Sequence, residues 1–226
     1  MVVDLKLLQV LQLMKNSVLC IAFVLMIGTD TIAQENVSVG PIVGVSFANL
    51  RGDISNNDWK SGATIGGFYN YSSESRFGFS GQLLYTQLGS QINNKTNDIR
   101  LNYIQVPLLL TYFLGKRGSD VRPKLFIGPN LNYLVTAKDR NGNDIYGETN
   151  NRVYNAFDLG LTLGAGFNYR IKNKVWLNAD VRYGIGLLDI TKSNSNKLSN
   201  NNVGINLGVS FPLGTFNPRT GNLNVK

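Results

Sequence analysis

Between Val175 and Leu187 the chain reads VWLNADVRYGIGL, with an apolar or aromatic residue at every odd position. Asn178, Asp180, Arg182, Gly184 and Gly186 fall at the even positions between them. Successive side chains of a strand leave on opposite faces, so a period of two marks a strand and not a helix. Strands of soluble proteins usually run about five or six residues. This alternation outlasts that length and exceeds the roughly 9–11 residues that carry a tilted strand across a bilayer.

The same signal recurs along the chain. Strands are expected over 38–47, 62–71, 76–89, 100–114, 122–134, 154–170, 174–189 and 200–213. The connections expected between them alternate in length. Segments 48–61, 90–99, 135–153 and 190–199 are long, polar and rich in Asn, whereas 72–75, 115–121 and 171–173 are short. Short turns at one end and long loops at the other characterise an up-and-down transmembrane barrel of the bacterial outer membrane. The expected fold is therefore all-β: an eight-stranded antiparallel up-and-down transmembrane β-barrel with a closed lumen filled by side chains.

Face polarity gives the solvent. On the sixth strand Phe157, Leu159, Leu161, Leu163, Phe167 and Tyr169 alternate with Asp158, Gly160, Thr162, Gly164, Gly166 and Asn168. The last strand sets Val203, Ile205, Leu207, Val209 and Phe211 against Gly204, Asn206, Gly208 and Ser210. A wet exterior would carry many charges, but the polar face is mostly Gly, Ser, Thr and Asn, and only 16% of the chain is charged. Such a face suits a crowded lumen, with the apolar face turned to lipid. Tyr69, Tyr71, Phe77, Phe79, Tyr112, Phe113, Phe167 and Tyr169 lie near the short turns, where an interfacial aromatic girdle is expected. A soluble ligand-carrying β-barrel is the alternative architecture.

Residues from Met14, MKNSVLCIAFVLMIGTDTIAQ, have the positive start, apolar run and small-x-small ending of a secretory signal. Residues 1–33 are read as that signal, with Met14 the initiator, 34–216 as the barrel and 217–226 as a polar, unpaired tail. There is no histidine, and the single cysteine, Cys20, falls in the signal. Ser-His-Asp and Cys-His catalysis and a His/Cys zinc site are thereby excluded within one chain. No catalytic, cofactor-binding or metal-binding residue is expected, and no cofactor.

The charged residues give two further groups. Asp158, Asp180 and Arg182 are inward and near mid-barrel, and they are read as a structural ion cluster, because buried charges need partners. Arg76, Lys116, Arg117, Arg122, Lys124, Arg170, Lys172 and Lys174 gather at the short-turn end and outnumber the acids there. They are read as a basic periplasmic rim that attracts outer-membrane lipid phosphates or an acidic envelope protein. The net charge of +8 does not point to nucleic acid, because basic patches interleaved with stacking aromatics are absent.

The fourth strand carries LNYIQVPLLLTYFL, the fifth FIGPNLNYLV, the seventh NADVRYGIGLLDI, and the chain's last strand NNVGINLGVSFPL. Tyr103, Pro107, Leu108, Gly128, Pro129, Tyr183 and Gly184 in these runs resemble the PorT-like outer-membrane β-barrel family of Bacteroidetes. The resemblance extends from about Val37 to Leu213 and implies an eight-stranded barrel integral to the outer membrane; from the connection lengths, the long loops are expected outside the cell and both termini in the periplasm. For some members the resemblance implies a role with the type IX secretion apparatus, and it implies no catalytic residues. The residues after Phe216 depart from barrels that end on an aromatic of the last strand. The expected function is structure or interaction at the cell envelope, without enzymatic activity, through the external loops or the basic rim. An accessory role in protein secretion is the alternative.

Overall fold

Eight antiparallel strands pair in sequence order, and the first returns to the eighth to close the sheet. They are β1 (Asn36–Gly52), β2 (Asn57–Ser72), β3 (Phe77–Ile92), β4 (Asn97–Phe113), β5 (Val121–Lys138), β6 (Phe157–Lys172), β7 (Val175–Gly186) and β8 (Leu198–Pro212). The computed structural model describes residues 36–52, 57–73, 76–92, 97–115, 119–147, 153–172, 175–192 and 197–213, and the backbone of 215–216 and 223–224. The proposed signal, residues 1–33, lies outside the described residues. Closure runs from Ser38–Pro212 to Gly52–Leu198, so neither terminal strand is left as an edge. That matters because hydrocarbon offers no partner to a bare backbone N–H or C=O.

The faces divide as the alternation requires. Val43, Ile65, Leu83, Leu110, Ile127, Val181, Ile205 and Leu207 point outward, each exposed over about half its surface or more in the protein alone. Asp180, Arg182, Asn178, Asn206, Thr162 and Ser80 are buried inside. The outward apolar series of β8 runs from Val203 to Phe211 and continues to Leu213 just past the strand's end. At about 3.3 Å per residue and a tilt of roughly 40°, it covers a band roughly 25 Å tall, the thickness a membrane barrel needs.

The lumen is filled. Phe68 and Phe126 also turn inward, where glycines leave room for their rings. A Cβ at Gly164 would stand 2.4 Å from the Phe126 ring, and one at Gly208 would stand 2.7 Å from that of Phe68. Ile42, Phe68 and Leu84 form a small apolar cluster within the otherwise polar interior.

Several sequence-based boundaries move. β1 continues to Gly52 and β2 begins at Asn57, so the expected long loop 48–61 shrinks to 53–56. In the same way β3 and β4 leave only 93–96 between them. Long connections persist after β5 (139–156) and β7 (187–197). The reason is an inversion of polarity without a change of phase. Along β1 the outward residues pass from Val43, Val45 and Phe47 to Asn49 and Arg51, while the inward ones pass from Gly44 and Ser46 to Ala48 and Leu50. The strands keep pairing beyond the lipid band but carry there the pattern of a water-soluble barrel. Asymmetry between the two ends thus lies in strand extension as much as in loop length.

Within the tail expected to be unpaired, β10 (Leu223–Asn224) pairs antiparallel with β9 (Thr215–Phe216). Phe113, expected in the aromatic girdle, turns into the lumen and is 4% exposed, because its parity on β4 is that of Tyr103 and Thr111.

Candidate functional site

Two inward assemblies stack along the barrel axis: an ion cluster toward the short turns and an apolar plug at the opposite mouth. The cluster is built from β5 and β7, two strands that flank β6. Lys124 opposes Gly166, and Gly166 in turn opposes Asp180. Because Gly166 has no side chain, Lys124 Nζ reaches across it to Asp180 Oδ1 at 2.9 Å. Arg182 lies two residues along β7 on the same face, and its guanidinium donates to Asp180 Oδ2 at 2.8 Å and to Gln82 Oε1 at 2.9 Å. One carboxylate therefore serves two cations, and all three side chains are at most 10% exposed. Low dielectric makes such a set strong when complete and costly when broken. A cavity of about 40 Å³ beside Lys124 and Asp180 is lined on one side by Asn168, Asn178, Ser80 and Thr111 and on the other by apolar residues such as Phe68 and Phe126. That volume holds a few waters.

Asp158 does not join this cluster. It stands eight residues from Gly166 on β6, roughly 26 Å away along the strand. Its side chain is 1% exposed and accepts a hydrogen bond from Asn200 Nδ2 at 3.2 Å, and the same amide donates to the Tyr103 hydroxyl at 3.1 Å. The sequence reading joined three inward charges that the structure separates into two levels.

The basic rim also divides. Lys124 and Arg122 are 9% exposed and belong to the lumen, with the Arg122 guanidinium carbon 4.1 Å above the Phe113 ring centre. Even positions of β5 face inward, so both charges follow the parity of Phe126 and Asn130. Arg76 is exposed at the turn end, and Arg170 there pairs with Asp120 at 3.5 Å and stacks 4.8 Å over Trp176. Lys116, Arg117 and Lys174 lie outside the described residues, as does the Lys172 side chain.

The plug went unread in the sequence. Ala48, Leu50, Leu88, Leu101, Tyr103, Leu134, Ala137 and Leu198 project inward from the strands. Tyr146, Tyr154 and Ile190 fold down onto them from the two long connections. Ile190 is 0% exposed, unusual for a loop residue. The connections are also tied to each other. Asn155 Nδ2 donates to the backbone oxygens of Asp189 and Thr191, and Tyr154 forms a bridge with Thr191. Burial pushes the Tyr154 hydroxyl's pKa up. Within the first connection the Asp139 carboxylate accepts from the backbone N–H and the side-chain amide of Asn143, and these bonds hold it below the usual carboxylate range. Gly142 closes that turn at φ 86°, where a side chain is disfavoured. Apolar residues at alternate positions of 48–50 and 99–103 were the available signal for the plug.

Of the motif residues, Pro107, Leu108, Gly128 and Pro129 meet on the β4–β5 seam. The ladder there reaches Pro107–Asn130 and resumes at Leu110–Ile127. Gly128 allows close approach to the Leu108 carbonyl. Tyr103 belongs to the plug, and Tyr183 and Gly184 lie apart on β7, outward and inward respectively. Among the described residues no three or more His, Cys, Asp or Glu side chains converge as metal ligands.

Residues 32–192 match the outer membrane protein beta-barrel domain family. This chain belongs to that family. Its membership places the barrel in the outer membrane. Neisserial surface protein A is similar in structure, with a TM-score of 0.51 at 19% identity, covering 77% of this chain and 96% of the other. OprG from Pseudomonas aeruginosa aligns with a TM-score of 0.46 at 16% identity, covering 80% and 96%. Ail of Yersinia pestis, in complex with the heparin analogue sucrose octasulfate, gives 0.45 at 16% identity, covering 78% and 98%. Among curated proteins, none matches this chain. The outer-membrane barrel extends past the matched residues, since β8 is needed to close it.

Proposed function

We propose that this outer-membrane barrel is a non-enzymatic contact protein that presents its two long connections, 139–156 and 187–197, on the cell exterior, with both termini periplasmic. The observation that carries the reading is the plug. The same residues that seal the lumen, Tyr146, Tyr154 and Ile190, clamp the connections to the barrel mouth. A sealed barrel offers no solute path, and a clamped loop loses little entropy when a partner binds it. The fitting partner is a protein or glycan outside the cell. A version with 140–152 replaced by a short Gly-Ser turn tests this. It is expected to lose adhesion to such partners while keeping the heat-dependent gel shift of a folded barrel, and unchanged adhesion overturns the reading.

The PorT-like pattern favours a second reading, an accessory of a secretion apparatus, because four of its residues meet on the β4–β5 seam. Deleting the gene would then block export of cargo proteins, and intact export rejects that role.

A further inference from the structure

We propose that the groove between the end of β1 and the β7–β8 connection is a binding site for a phosphate-bearing lipid headgroup. The groove measures about 300 Å³, and Arg51, Ile185, Leu187, Leu188, Lys197 and Ser199 line it. It lies on the outer wall, backed by the plug through Leu198, and adds a ligand site to the contact role of the loops.

Its position is set by the polarity inversion. Down β8 the outward residues are polar at Ser199 and Asn201 and apolar from Val203 to Phe211. Ile185 pairs with Asn201, so the groove straddles the level at which hydrocarbon gives way to headgroups. The connection is folded to fit that level. Asp189 Oδ1 accepts from the Thr191 and Leu198 backbone N–H groups and from the Thr191 hydroxyl, at 2.8–3.0 Å. Ile190 is drawn into the plug beside it, and Leu187 and Leu188 are thrown outward, 58% and 41% exposed. An apolar pair held outward on an anchored loop, next to the lipid band, is covered when acyl chains cover it.

Charge selects the headgroup. Arg51 sits at the end of β1 and Lys197 at the end of the connection, brought side by side because Gly52 pairs with Leu198. Asp189 also lines the groove, but its Oδ1 is engaged by the loop, and the two cations leave an excess of one positive charge among the ionic liners. Cations above an apolar floor match an anionic amphiphile, with phosphate at the guanidinium and ammonium and chains against Ile185, Leu187 and Leu188.

The test uses the full barrel in phosphatidylcholine micelles containing a small fraction of phosphatidic acid, at about 0.15 M salt, where exposed charges are screened beyond about 8 Å. Native mass spectrometry counts the retained lipids. Wild type is expected to retain phosphatidic acid over phosphatidylcholine. Retention should fall several-fold in Arg51→Gln/Lys197→Gln and in Leu187→Asn/Leu188→Asn, and persist in Arg76→Gln at the opposite end. Lys197→Gln alone, at an exposed position, gives a second reading if a double variant fails the heat-shift check for folding. Equal retention by wild type and the charge variants overturns the site. An equal loss in Arg76→Gln also overturns it, because it reports general attraction, as does displacement by inorganic phosphate, which reports a free-anion site.

Discussion

Lys124 and Asp180 meet at 2.9 Å although a whole strand lies between their own. The contact exists because β6 places Gly166 at the crossing point, where an added Cβ would stand 2.8 Å from Asp180 Oδ1. Arg182 takes the other oxygen of the same carboxylate. The three charges are thus unequal in weight. Removing Asp180 strands two buried cations, whereas removing Lys124 leaves the balanced Asp180–Arg182 pair. Asp180→Asn is expected to lower barrel stability by about 3–5 kcal/mol and Lys124→Met by clearly less. Urea midpoints of the heat-shifted band check the order, and equal effects would contradict the sharing of one carboxylate.

The lipid band has a boundary that single charges can map. Leu207 and Asn201 face outward on the same strand, one within the apolar series and one above it. Leu207→Arg is expected to cost about 2–4 kcal/mol, as a basic residue near the bilayer midplane does. Asn201→Arg should lie within about 0.5 kcal/mol of wild type, as surface changes do. Refolding into lipid vesicles with urea titration measures both.

Parity made much of this legible. Odd apolar residues on β6, β7 and β8 gave the outward face, and with it the inward places of Asp180 and Arg182. Eight strands were countable because each crosses the same band with the same period. The same parity also placed Lys124 inward, between outward Pro123 and Leu125, yet nearness to a turn made it read as rim. Charge near a strand end is ambiguous, because only the third dimension says whether it meets Asp180 or water. The plug was hidden for a different reason. Ala48 and Leu50 keep β1 in phase but exchange the meaning of its faces, and a reader following apolar-outward sees the strand stop at Phe47. Tyr146 sits in a polar segment, Tyr154 stands where the sixth strand was expected to begin and Ile190 just past the expected end of the seventh, and nothing local predicts that these three fold into the mouth.

The plug predicts a separation between loop order and barrel stability. Tyr154 is 6% exposed and packs with residues of both the strands and the other connection. Tyr154→Ala opens a cavity beneath the connection, but the ladder of eight strands does not depend on it. Protease cleavage within 139–156 should rise several-fold while the heat-shift temperature changes little. Cleavage at the wild-type rate would mean that the loop is held by something other than the plug.

Acid should loosen the β7–β8 connection through Asp189. Burial acts to raise its pKa, but the N–H groups of Leu198 and Thr191, the Thr191 hydroxyl and nearby Lys197 outweigh it and hold the carboxyl below its ordinary value. A carboxylate depressed on folding contributes stability that is fully present above its unfolded pKa of about 3.9 and is lost as pH falls through the lower folded value. Hydrogen exchange at the Thr191 and Leu198 amides should therefore stay slow from neutral pH down to about 4, after correction for intrinsic rates, and quicken below it. Asp189→Asn removes the charge that draws these donors together, so its exchange should be faster at neutral pH and nearly flat through the acid range. A wild-type protection profile that ignores acid, or a variant that keeps the acid step, would assign the order of this loop to Ile190 and the plug alone.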